Sequence, residues 1–142
     1  MAMPNELLAA FEKTAYTAAL PEGMIELRIG EPAPVLDALL REREHRCWAY
    51  VTAYNPGSIR DDAANPARHA RLLAEVEKRG RPWFPGRAIA AGDWPAEESL
   101  LILGLEQNEA QALGRAYGQL AVVVGELGGA PLLLPCEGAE KP

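Results

Sequence analysis

Residues 48–58 read Trp48-Ala49-Tyr50-Val51-Thr52-Ala53-Tyr54-Asn55-Pro56-Gly57-Ser58, an unbroken apolar run that turns abruptly into a loop of hydrogen-bonding side chains. A segment apolar at every alternation has the signature of a central strand, covered on both faces. The polar loop after it has two readings. Asn55-Pro56-Gly57 matches a β-turn with proline second and glycine third, where a positive φ is required. The same polar cluster at a strand end is also where a site would be built.

Working outward toward the amino terminus, Pro32 and Pro34 fit the first turn of a helix that Val35, Leu36, Leu39 and Leu40 carry to about residue 44. Before it, Ile25, Leu27 and Ile29 alternate with Glu26 and Arg28, the two-residue period of a strand wet on one face. Leu7, Leu8, Phe11, Ala15 and Ala18 recur at helical spacing, which predicts a helix over residues 5–19 closed by Pro21 and Gly23.

Working outward toward the carboxyl terminus, Asn65 before Pro66 reads as an N-cap followed by proline at the first helical position. Leu72, Leu73 and Val76 carry that helix to Gly80. Residues 81–92 hold Pro82, Pro85, Gly86 and Gly92 and read as an irregular connection with at most a short edge strand. Leu100–Leu103 and Leu120–Val124 are two more buried strands around a helix containing Ala110, Leu113, Ala116 and Tyr117, which Gly118 stops. Leu132-Leu133-Leu134 adds a last short strand.

This order contains two β-α-β units, residues 24–53 and 99–125. Leu27-Arg28-Ile29-Gly30 and Leu101-Ile102-Leu103-Gly104 end comparable strands, a hint of pseudo-symmetry. The predicted fold is α+β, a two-layer sandwich of helices against a mixed sheet of about five strands, with an N-terminal and a central helix added. Crossovers of this length permit parallel pairing inside each unit. If the two units then lie antiparallel in one sheet, Arg28, Tyr54, Asn55, Ser58, Glu97, Glu98 and Gln119 surround one crevice at the strand ends.

Glu97 and Glu98 stand at the start of a strand, where neighbours point to opposite faces, so only one of them can face that crevice. An inward glutamate is also a structural ion-pair partner for Arg28 or Arg115. His45 lies among charged neighbours and His69 has no histidine, cysteine or carboxylate at the i+4 spacing of helical metal pairs, so no metal site is predicted. No phosphate-cradling glycine loop or nucleophile elbow occurs, and no cofactor is predicted.

The bulk numbers bound these readings. A chain of 142 residues, 49% apolar and 24% charged, predicts one globular domain over residues 1–136 with a frayed tail at 137–142. The net charge of −6 is the wrong sign for a nucleic-acid partner. Locally, Arg60, Arg68, Arg71, Lys78, Arg79, Arg81 and Arg87 outnumber Asp61, Asp62, Glu75 and Glu77, a cluster that most often forms a solvated helix face. Cys47 and Cys136 have neither disulfide density nor CxxC spacing, and residues 1–20 carry charges within their apolar pattern. The expectation is a soluble cytoplasmic protein with neither secretion signal nor membrane anchor.

Several of these segments together resemble the bacterial family catalogued as domain of unknown function 3293. They are Leu27–Gly30, the run 48–58, Asn65 with Arg68, Trp94-Pro95-Ala96-Glu97-Glu98-Ser99, and Tyr117-Gly118-Gln119. The Trp-Pro-x-Glu-x-Ser pattern makes Glu97 the more interesting carboxylate. Where the family pattern reads Phe-Gly-Gln-Asn-Ala, this chain has Tyr117-Gly118-Gln119-Leu120-Ala121, which leaves Gln119 the only amide of that pair. The resemblance implies a small soluble bacterial protein and no particular reaction.

Three functions emerge as expectations. The first is a small-ligand-binding domain for a polar or anionic molecule, with Arg28 holding an anionic group, Asn55 and Gln119 orienting polar atoms and Glu97 accepting hydrogen bonds. The second is an enzyme with Glu97 as general acid or base beside Tyr54 or Ser58. The third is an interaction module, for protein or nucleic acid, using the segment from Arg60 to Arg87.

Overall fold

The structure, a computed structural model, describes residues 4–136, and the predicted tail at 137–142 lies outside them. In chain order come α1 (Asn5–Glu12), β1 (Ala15–Leu20), β2 (Gly23–Leu27), α2 (Pro34–Arg43), β3 (Cys47–Thr52), a single 3-10 turn (Pro56–Ser58) and α3 (Asn65–Lys78). After these come β4 (Trp83–Ile89), β5 (Glu97–Leu103), α4 (Gln107–Ala116), β6 (Ala121–Glu126) and β7 (Leu132–Pro135).

The α+β class is as predicted, but the sheet is larger and differently wired. Its seven strands run in the order β2-β1-β4-β5-β3-β6-β7, and every neighbouring pair is antiparallel. The predicted parallel pairing inside each β-α-β unit does not form. Three strands separate β2 from β3, and β3 inserts between β5 and β6. The echo between residues 27–30 and 101–104 is therefore not a repeat, since β2 lies at the sheet edge and β5 at its centre.

Two strands account for the difference from about five. The chain leaves helix at Glu12, and Tyr16, Ala18 and Leu20 alternate inward along β1 instead of continuing α1. Alanines at 15 and 18 satisfy the helical period by coincidence, whereas Tyr16 and Thr17 favour a pleated surface. Pro21–Gly23 then turns β1 into β2, with Leu20 opposite Gly23. The second strand is β4, expected as an irregular connection and found between β1 and β5. Its Pro85 lies just past the last β1 pair, Ala18 with Gly86, where one flank has no ladder for a proline to interrupt. Gly86 is required beside it, because a Cβ there would meet Thr17 O at 2.3 Å and Tyr50 Oη at 2.7 Å.

Helices cover both faces, so the architecture is not two-layered. On β3, Trp48 and Tyr50 pack with Leu36, Leu39 and Leu40 of α2, while Ala49 and Val51 pack with Leu72 and Val76 of α3 and Leu113 of α4. The continuous apolar runs of β3, β5 and β6 demand this, since a strand apolar on both alternations needs cover on both sides. Leu100, Leu101, Ile102 and Leu103 are all fully buried, each contributing about 1.5–3 kcal/mol. No helix among the described residues is long and apolar enough to cross a membrane.

Candidate functional site

The antiparallel order carries five segments to one end of the sheet. The register pairs Thr52 with Ser99, Glu97 with Ala88, and Ile89 with Ala15, so the end of β3, the start of β5, the end of β4 and the start of β1 form one rim. The start of β6 joins them beside β3. On the α2 face of this rim the core is left unfilled, and α1 spans the gap with Leu7, Ala10 and Phe11. The result is a cavity of about 290 Å³. Tyr54, Asn55, Ser58, Glu97 and Gln119 all line it.

Arg28 does not. Leu27 pairs with Tyr16, Tyr16 with Ala88 and Ala88 with Glu97, which puts Arg28 on the same sheet edge but three strands away, roughly 14 Å at usual strand spacing. Its Nε donates to Glu26 Oε2 at 2.7 Å and its Nη1 to Lys13 O at 3.1 Å. Glu98 points to the other face and pairs with Arg87 at 2.8 Å. Neither Arg28 nor Arg115 pairs with Glu97, and Arg115 Nε donates to Cys136 O.

Asn55 organises the rim. The turn reading is correct as far as it goes: Ser58 N–H donates to Asn55 O, and Gly57 takes the φ of 68° that the third position demands. Asn55 itself adopts a left-handed φ of 50° and is only 5% exposed. Its Oδ1 accepts from Asn65 Nδ2 at 2.8 Å and from Asp61 N–H at 2.9 Å, and its own N–H donates to Asn65 Oδ1 at 2.9 Å. Its Nδ2 donates to Glu97 Oε2 at 2.7 Å. Asn65, 2% exposed, is therefore not the side-chain cap expected for α3: its amide turns inward to Asn55, and no side chain caps that helix. Arg68 stands behind both, donating to Asn65 Oδ1 and to Asp61 Oδ2.

The same carboxylate oxygen of Glu97 takes a second bond, from Trp94 Nε1 at 3.0 Å. The other oxygen, Oε1, has no protein partner among the described residues. Gln119 Nε2 donates to Tyr54 O at 2.8 Å, and Gly57 N–H to Gly118 O at 2.8 Å, so the loops after β3 and α4 are stitched together. Gly118 is obligatory there: its φ is 71° and a Cβ would come within 2.8 Å of Pro56.

Deeper in the cavity, Tyr16 and Tyr50 stack edge to face with centroids 5.3 Å apart. Burial pushes both phenols well above the ordinary value, which keeps them protonated donors. Tyr54 is raised by burial as well. Tyr16, Tyr50, Trp94, Asn65 and all of α1 lie outside the set expected from the sequence. The family-like segments that hold Tyr50, Asn65 and Trp94 are the sequence signals for three of them, and nothing comparable marks Tyr16 or α1.

The positive segment presents little free charge. Arg60 pairs with Asp62, Arg68 with Asp61, Arg79 with Glu75, Arg81 with Glu109 and Arg87 with Glu98. Short-range pairing thus neutralises most of a local excess that looks basic in the sequence.

Neither a curated protein nor a solved structure matches the chain. A family model described as "Protein of unknown function (DUF3293)" matches residues 51–122, the span that contains the β3 loop, α3, Trp94, Glu97 and Gln119. The chain belongs to that family.

Proposed function

We propose that this protein is a small-molecule-binding domain whose ligand occupies the cavity under α1. One observation carries the reading: a glutamate on the cavity wall has one oxygen fixed by two neutral donors and the other without a protein partner among the described residues. Such a carboxylate is oriented before any ligand arrives, so little ordering is left to oppose binding. The volume of about 290 Å³ is near the lower end of the ~300–1,000 Å³ typical of small-molecule pockets. A thermal-shift panel of nucleotides, sugars, organic acids and amines tests the reading. A true ligand at 100 times its Kd adds about 2.7 kcal/mol of stability, and silence across the whole panel defeats the proposal.

The same free oxygen favours a second reading, in which Glu97 moves a proton on a bound substrate with Tyr54 and Ser58 on the same wall. Turnover of a bound compound that disappears in Glu97→Gln while binding persists would distinguish catalysis from binding.

A further inference from the structure

The cavity's charge is lopsided. The hydroxyls of Thr14, Tyr16, Tyr50, Thr52 and Ser99 each donate to a backbone carbonyl, those of Ala10, Phe11, Thr17, Glu98 and Glu97 respectively, at 2.7 to 3.1 Å. Gln119 Nε2 faces two carbonyls, Tyr54 O at 2.8 Å and Tyr117 O at 3.3 Å, and Trp94 Nε1 is bound to Glu97. These donors are thereby engaged, while the hydroxyls of Tyr54 and Ser58 and one hydrogen of Asn55 Nδ2 have no protein partner among the described residues. Glu97 Oε1 and Gln119 Oε1 likewise have no protein partner among the described residues. Glu97 is also the one charged residue among the described residues lining the cavity, with no Lys or Arg beside it.

A wall whose one charge is negative, with a carboxylate oxygen still free, selects a cation that can donate to it. A carboxylate or phosphate would meet Glu97 with no lining cation to offset it, since Arg28 is engaged by Glu26 and the Lys13 carbonyl and does not line the cavity. The remaining surface is apolar and aromatic, from Leu7 and Phe11 of α1 to Ala88, Tyr50 and Val123 of the sheet. Such a surface buries a hydrocarbon body and favours an ammonium near ring faces. Resting on the binding reading above, we infer that the ligand is a small primary or secondary amine, its ammonium on Glu97 Oε1 and its apolar body against α1.

The test uses two matched sets on the whole chain: phenethylamine, 2-phenylethanol and phenylacetate, then hexylamine, 1-hexanol and hexanoate. Affinities are read by calorimetry and by tryptophan fluorescence, to which Trp94 on the cavity wall contributes. Each amine is expected to bind at least about tenfold more tightly than its alcohol, as a charge-assisted bond implies, with the carboxylates weakest. Glu97→Gln keeps an oxygen for Asn55 and Trp94 but turns the free position into an amide donor. It should abolish the amine preference while leaving the thermal midpoint near that of the unaltered chain. Should that variant not fold, the ranking in the unaltered chain decides alone. Alcohols or carboxylates binding as well as the amines overturn the amine assignment and leave the binding reading standing. Failure of both amines while another panel class binds does the same, and failure of every class overturns both.

Discussion

Asn55 and Glu97, 42 positions apart in the chain, are joined by a 2.7 Å hydrogen bond that ties the loop after β3 to the first residue of β5. Asn55 is held by Asn65 and Asp61, so the carboxylate is oriented by a polar knot rather than by a cation.

Removing the Asn55 side chain leaves Asn65 Nδ2 and Asp61 N–H without their partner and Glu97 Oε2 with Trp94 Nε1 alone, at a position that is 5% exposed. Asn55→Gly, which tolerates the φ of 50°, should destabilise by about 2–3 kcal/mol in denaturant titration. Asn55→Ala should cost roughly a further 1 kcal/mol for the left-handed backbone. Equal stabilities for the two variants would show that the backbone conformation is not maintained as described.

At Gly86 the constraint is steric. A methyl group there would sit 2.3 Å from Thr17 O and 2.7 Å from Tyr50 Oη, breaking the bond that Tyr50 donates to Thr17. Gly86→Ala should cost about 2 kcal/mol or more and loosen the Tyr16–Tyr50 pair, visible as a changed near-ultraviolet circular dichroism signal.

Ala88 lines the cavity from the rim end of β4. Ala88→Leu should fill space a ligand needs, so the variant remains folded by far-ultraviolet circular dichroism but loses every ligand found in the thermal-shift panel. Retained binding would place the ligand elsewhere.

His69 supplies the pH dependence. Its ring meets Tyr54 edge on, its Nδ1 is buried without a hydrogen-bond partner among the described residues, and burial lowers its pKa below the ordinary 6.5. The unfolded chain therefore binds the proton more readily than the folded one. The stabilisation is fully present above about pH 6.5 and falls as the pH drops through the lowered folded value. Denaturation midpoints followed from about pH 7.5 down to 5.5 should decline in the unaltered chain, and less steeply in His69→Gln.

Much of this site is legible without the fold. The abrupt polarity change at Tyr54-Asn55 and the carboxylate pair ahead of an apolar strand both mark strand ends, and strand period alone assigns Glu97 and Glu98 to opposite faces. Arg28 misses the site for a definite reason. Its strand does run the right way, but β1 and β4, which read locally as helix and connection, lie between it and Glu97. Asn65 departs from its expected role because the N-cap preference is a local rule, and a buried partner outweighs it.

The α+β class, the buried central strands, the turn at Pro56-Gly57 and the polar loop beside it are dictated by residue order alone, because periodicity and turn chemistry act over a few residues. Strand order, the insertion of β3 between β5 and β6, and the cover that α1 lays over the cavity were decided only in three dimensions. Pairing partners are chosen by which apolar faces can be buried together across long separations, and no local pattern encodes that choice.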